Sequence, residues 1–191
     1  MATDRATELL DHLTWHWDHQ ARPRLEGLGD EEYLWEPAAG AWNVRPRGEA
    51  RTAMAAGAGD WVADFELPEP TPAPVTTIAW RLGHVIVGVF GMRTAAHFAG
   101  PPCDYQTFPW SPDSATALAQ LDDAYGAWVA GVSTLDAESL NRAVGPAEGA
   151  WADWPLSALV LHVNREAIHH LAEVALLRDL YAARVLNGAT G

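Results

Sequence analysis

Four stretches of this chain repeat apolar residues at helical spacing, and none alternates with the period of two that marks a half-buried strand. That periodicity predicts helices packed on one another, because each apolar stripe must find another to bury against. The first helix is expected over residues 4–26, with Leu9, Leu10, Leu13 and Trp17 on its stripe and Pro23 near its end. The second starts at Thr76-Thr77, a hydroxyl N-cap, and runs to about residue 99, where Gly100-Pro101-Pro102 stops it. The third opens on Ser111-Pro112, an N-cap and a first-turn proline, and continues to about residue 132, with a further turn at Ala137–Asn141. The fourth runs from about residue 155 to about residue 185, ahead of Asn187-Gly188. Between the first and second helices, residues 27–75 are polar and rich in glycine and proline. So long a connection is expected to hold short helical turns, one of them over residues 50–63, or a lid over a pocket. The expected architecture is all-α, a four-helix bundle with a long first-to-second connection and a single domain over residues 1–191.

Composition narrows the function. The length suffices for one core that buries about 70% of the unfolded surface. No apolar run approaches the ~18 residues of a membrane span, and the N-terminal segment lacks a signal peptide's basic start and apolar centre, so a soluble cytoplasmic protein is expected. Acidic residues number 25 against 12 basic ones, for a net charge of −13. Such a chain repels a phosphate backbone, which argues against nucleic-acid and anionic-membrane partners. Every basic residue is arginine, so P-loop, Schiff-base and kinase-type lysine chemistry is excluded. The single cysteine, Cys103, rules out an internal disulfide and a cysteine-rich zinc site; following Pro101-Pro102, it reads as an inert loop or packing thiol. Eight histidines and ten tryptophans remain to be explained, the first supplying ligands and acid–base groups, the second apolar pocket walls.

In the fourth predicted helix, Glu166 and His170 lie one turn apart and about 40° apart around the axis. His162 and Glu173 share their stripe, whereas Asn164, Ala175 and Asp179 fall roughly opposite, so the far side is expected to face solvent. A carboxylate and two or three imidazoles then point into the bundle. Buried without partners they are costly, and one metal ion satisfies all of them together. The second helix offers His84, in an apolar setting among Trp80, Val87 and Gly88, and His97, which reads as exposed beside Arg93, Thr94 and the helix end. His84, Glu166 and His170 supply the ligand types of an open metal site. The structural alternative is a hydrogen-bonded core His84, with one of His169 and His170 exposed and the other packed. A di-iron centre is excluded, because Glu166-Ala-Ile-His169 is the one Glu-x-x-His present and the second helix has no carboxylate; the zincin motif is absent. His12, His16 and His19 stand beside Asp11 and Asp18 and read as surface or structural residues.

The run Thr76-Thr-Ile-Ala-Trp-Arg-Leu-Gly-His84 resembles the second-helix signature of the DinB-like (damage-inducible) four-helix-bundle superfamily. His162, Glu166, His169 and His170, with the segment down to Tyr181, resemble its fourth helix, and the segments at Leu28 and at Gly40 to Val44 resemble its first connection. The resemblance implies one divalent metal bound by a histidine of the second helix and two residues four apart on the fourth, here His84, Glu166 and His170. Many members carry histidine where Glu166 stands. The His/Glu/His set is similar to the subgroup of mycothiol-dependent maleylpyruvate isomerase and bacterial thiol S-transferases, which use zinc to handle a low-molecular-weight thiol. The family name records induction by DNA damage rather than DNA binding. Ending at Gly191, the sequence leaves no room for that isomerase's further C-terminal domain, so its own reaction is not expected, and the long 43–75 segment is expected to reshape the pocket.

The resemblance and the residues together give the expectation of a metal-dependent thiol transferase. Zinc is the expected metal, with nickel or iron as alternatives, and a thiol such as mycothiol the co-substrate that attacks a small electrophile. His162 is a candidate proton shuttle or outer support, and His169 a candidate orienting group. Trp80 would line the pocket one turn from His84, and Arg81 would reach an anionic group on thiol or substrate; core packing and an ion pair are their structural alternatives. The same triad suits a non-haem Fe(II) enzyme, and a non-catalytic bundle that sequesters a metal or small ligand is the third reading. A homodimer is compatible with the sequence, although no exposed stripe demands one.

Overall fold

The first apolar stripe folds in three segments. In the computed structural model, which describes residues 4–188, α1 (Arg5–His16) passes into a π-helical turn at Trp17–Ala21 and a 3-10 turn at Pro23–Leu25. Ala6, Leu13, Trp17 and Ala21 are buried along it. A single turn, α2 (Asp30–Tyr33), follows. The second long run starts where expected: the Thr77 hydroxyl accepts from the Trp80 amide at 3.2 Å and caps α3 (Ile78–His84). Immediately after His84 the run widens into a π-helical segment, Val85–Gly91, before α4 (Met92–His97). Such widenings often sit at functional sites.

The third run, α5 (Ser114–Ser133), is capped by Asp113 rather than Ser111: the Asp113 carboxylate accepts from the Thr116 amide at 2.7 Å, while the Ser111 hydroxyl donates to the Asp113 carbonyl. A carboxylate two residues on outcompeted the hydroxyl because it accepts more strongly and favours the positive end of the helix. After α6 (Ala137–Asn141) and a 3-10 segment at Pro146–Trp151 comes α7 (Leu156–Gly188), of 33 residues.

Cross-contacts fix the directions. α1 and α7 run parallel, since Asn164 donates to the Leu9 carbonyl and Arg24 reaches Asp179. α5 runs antiparallel to α1, with Trp17 stacked on Tyr125 at 3.8 Å and Arg22 on Asp122. The α3–α4 run is antiparallel to α7, Arg81 facing Glu173 and His84 facing His170. One hydrophobic cluster links all four, from Ala6 to Val174.

Three expectations are corrected. Residues 50–63 are not a helix, and the chain is not free of strands: β1 (Val44–Pro46) pairs antiparallel with β2 (Trp61–Ala63), Arg45 opposite Val62. Gly57 and Gly59 weaken a helix there. Their carbonyls instead accept from the Arg47 guanidinium at 2.7 to 3.0 Å, and Ala56 pairs with Ala63 through both backbone bonds. Second, Asn164 is 1% exposed rather than solvent-facing. α7 packs on α1 with one side and on α3 with another, so solvent meets a third stripe that includes Leu161, Arg165, His169 and Leu176. Third, His97 is not exposed: its side chain is 8% exposed and bonds Glu148 at 2.8 Å.

The 43–75 segment is tied down by a buried charge. Asp64 accepts from the backbone amides of Asn43 and Arg51 and from the Arg45 guanidinium at 2.7 Å. Removing one partner of such a pair costs about 3–5 kcal/mol. The Asp64 carbonyl also takes the Trp80 indole N–H at 2.7 Å, so this connection holds one wall of the site directly.

Candidate metal centre

His84 stands where α3 widens, deep against α7. Trp80, one turn earlier, stacks on its ring at 5.6 Å with planes 10° apart, and Trp42 continues the aromatic wall behind Trp80. The Tyr105 hydroxyl lies 2.6 Å from His84 Nδ1. That approach needs Gly88: a Cβ there would run into the Tyr105 hydroxyl. Burial, then the proximity of His170 and Arg81, pushes the His84 pKa down to about 3, so its imidazole is neutral at physiological pH. In the tautomer whose Nδ1–H donates to the Tyr105 oxygen, Nε2 keeps its lone pair for a ligand.

His170 faces His84 edge-to-face, the ring centroids 4.6 Å apart. Its Nδ1 lies 2.7 Å from Glu173 Oε2, and Arg81 Nη1 stands 3.3 Å from the same nitrogen. Arg81 Nε is 3.0 Å from Glu173 Oε2, within ion-pair distance though poorly aligned for a hydrogen bond. Glu173 thus holds the outer edge of the ring, leaving Nε2 on the side of Glu166, whose Oε2 is 3.4 Å away. A carboxylate on one imidazole nitrogen, with the other free, is the usual support of a metal-ligating histidine.

Glu166 and His162 sit at the rim rather than inside, their side chains 37% and 43% exposed and 3.7 Å apart. A cavity of about 110 Å³ opens between them and His84, with Arg93 on its edge. His169, the most exposed of the group, places Nε2 3.5 Å from Glu173 Oε1. His169, His170 and Glu173 each offer a ligand atom, all within 4.8 Å of one another, and could hold a metal ion. His170 thus belongs to this outward group and also faces His84 on its inner side.

Of the residues singled out from the sequence, His84, Glu166 and His170 come together with Trp80 as a wall. Arg81 is committed to Glu173 and His170 instead of facing an open pocket. Tyr105 was missed, because it lies in a loop after Gly100-Pro101-Pro102 with no periodic signal; the small residue at Gly88, one turn from His84, was the available hint. Cys103 is half-buried, and burial together with Asp104 raises its thiol pKa, which suits a packing residue. On α1, His16 has a buried Nε2 without a partner and a lowered pKa from burial, while His12, and His19 in the π-helical turn after it, are exposed.

No helix among the described residues is long and apolar enough to cross a membrane. No curated protein and no solved structure gives a significant match. The DinB superfamily model, however, matches residues 12–174, from the last turn of α1 through the whole of the candidate centre on α7; the chain belongs to the DinB superfamily.

Proposed function

We propose that the four long helical runs form the superfamily's four-helix bundle and that His84, Glu166 and His170 hold one divalent ion, of zinc type, in a thiol S-transferase. The observation that carries this reading is the support of the two histidines. Each has one ring nitrogen engaged, His84 by Tyr105 and His170 by Glu173, and each keeps the other nitrogen available. Two imidazoles and a carboxylate fit such an ion and leave it an open position. The inward set is preferred over His169, His170 and Glu173 because Glu173 is already shared by Arg81 and His170 Nδ1, and because His169 is two-thirds exposed at 66%.

A divalent ion held there would supply positive charge that favours the thiolate form of a thiol such as mycothiol near neutral pH. The chain's own groups do the rest. Tyr105 and Trp80 lock the His84 ring, and Glu173 with Arg81 locks His170, so neither must be ordered when substrate arrives. His162, adjacent to Glu166 at the cavity mouth, is placed to accept the thiol proton and pass it to solvent. Trp80 and Trp42 keep one side of the site dry.

The test is consumption of mycothiol with a small electrophile such as monochlorobimane. Zinc-loaded protein is expected to consume both together and protein stripped by a chelator neither. Tight zinc uptake with no loss of either reactant over hours would favour the non-catalytic binder, and oxygen uptake with Fe(II) but not zinc the oxygenase reading.

A further inference from the structure

A second, larger cavity of about 470 Å³ adjoins the centre, lined by Arg93, Trp151, Trp154, Leu161, His162 and Arg165 among others. Its size falls in the range of small-molecule sites. Two of its walls, Arg93 and His162, are also walls of the small cavity beside His84 and Glu166.

Trp151 and Trp154 are 58% and 53% exposed, yet they stand edge-to-face, with centroids 4.9 Å apart and planes at 80°. Their backbone is fixed: Val144 donates to the Trp154 carbonyl, Gly145 to that of Ala152, and Leu156 to that of Arg142, each within 2.9 Å. The lip is thus a short pinned hairpin, and its indoles are held apart from the core with open faces to offer a flat ring.

Charge sets the second requirement. Glu148, buried at the cavity's base, is neutralised by Arg93 at 2.7 Å and bonded by His97 at 2.8 Å, so Arg93 is spent internally. Arg165 lines the cavity with no carboxylate in ion-pair distance among the described residues. An unpaired guanidinium beside an apolar wall, in a chain of net charge −13, is suited to an anionic group on an otherwise apolar molecule.

We propose that this groove binds a planar, apolar molecule bearing an anionic group, an aryl carboxylate in type. The ring lies against Trp151 and Trp154, the anion pairs with Arg165, and the opposite end meets His162 at the mouth of the metal centre. Its role as the electrophile's site, though not the binding itself, rests on the transferase reading above.

The experiment is calorimetric titration of metal-free protein with naphthoate and, in parallel, with neutral naphthylmethanol. Absence of metal removes coordination of the carboxylate as a source of binding. Naphthoate is expected to saturate one site. Trp154→Ala should weaken both ligands by about tenfold or more, through lost ring contact. Arg165→Gln should weaken naphthoate by about tenfold and leave naphthylmethanol within about twofold. Both side chains are solvent-exposed, so the variants are expected to melt like wild type. No saturable binding to wild type, or equal affinities in wild type and both variants, overturns the groove. Zinc uptake by the same samples separates the two readings: protein that takes up zinc but ignores naphthoate loses the groove alone, and protein that binds naphthoate but refuses zinc loses the metal centre alone.

Discussion

The inner and outer halves of the candidate centre are built differently. His84, on the inside, is clamped by a stacked indole, a tyrosine hydroxyl and a glycine that makes room for it. Glu166, His162 and His169, on the outside, stand on one helix with a third or more of each side chain in solvent, at 3.4 to 3.7 Å from their neighbours. His170 joins the halves. The contrast teaches that the inner half is a fixed template and the outer half an adjustable one. A site needing both a held metal and a mobile proton carrier benefits from that division.

The largest expected effect comes from breaking the inner half. His84→Ala should abolish binding of the divalent ion, from about one per chain to none by elemental analysis. Full occupancy in that variant, together with its loss in His169→Ala, would move the centre to the outward set. Glu166→Ala should also empty the site while leaving far-ultraviolet circular dichroism unchanged, because its side chain stands at the rim, more than a third exposed. Tyr105→Phe keeps the packing but removes the hydroxyl on His84 Nδ1, and should weaken zinc by about tenfold in competition with a chelator.

A smaller effect concerns pH. His84 is held near pKa 3 when folded against 6.5 ordinarily, so between those values the unfolded chain binds the extra proton. Its contribution to stability is complete above about pH 6.5 and lost as pH falls towards 3. Metal-free His84→Gln should therefore lose stability less steeply than wild type across that window in denaturant titrations; parallel curves would show that burial of His84 is not what separates the halves. The smallest effect is at His169: alanine there should leave zinc affinity within about twofold, as expected for an outer group two-thirds in water.

Much of this could be read along the chain. Thr77 as a cap and the stop before Gly100 both follow from local chemistry, and the i to i+4 spacing of Glu166 and His170 places them one turn apart whatever surrounds the helix. Asn164 shows the limit of that reasoning. Angular position divides a helix into faces, but how many of them are covered depends on the neighbours, and α7 is covered by α1 on one side and by the α3 run on another. The short strands failed for a related reason: three residues are too few to show a period, and their pairing is decided by Asp64 and Arg45 meeting across the connection. Tyr105 and the Trp151–Trp154 lip were equally silent, since loop residues carry no repeat that announces where they will be brought.

By itself, then, the sequence determined which residues could be helical, which carried ligand atoms, and which chemistries were absent for want of lysine and a second cysteine. Those are properties of single residues and of spacing along one axis. The tertiary structure alone decided that Tyr105 supports His84, that Arg81 serves Glu173 instead of a ligand, and that an apolar groove lined by Arg165 opens beside the centre. Each is a contact between distant segments. Its energy comes from desolvation and close packing that no local pattern encodes.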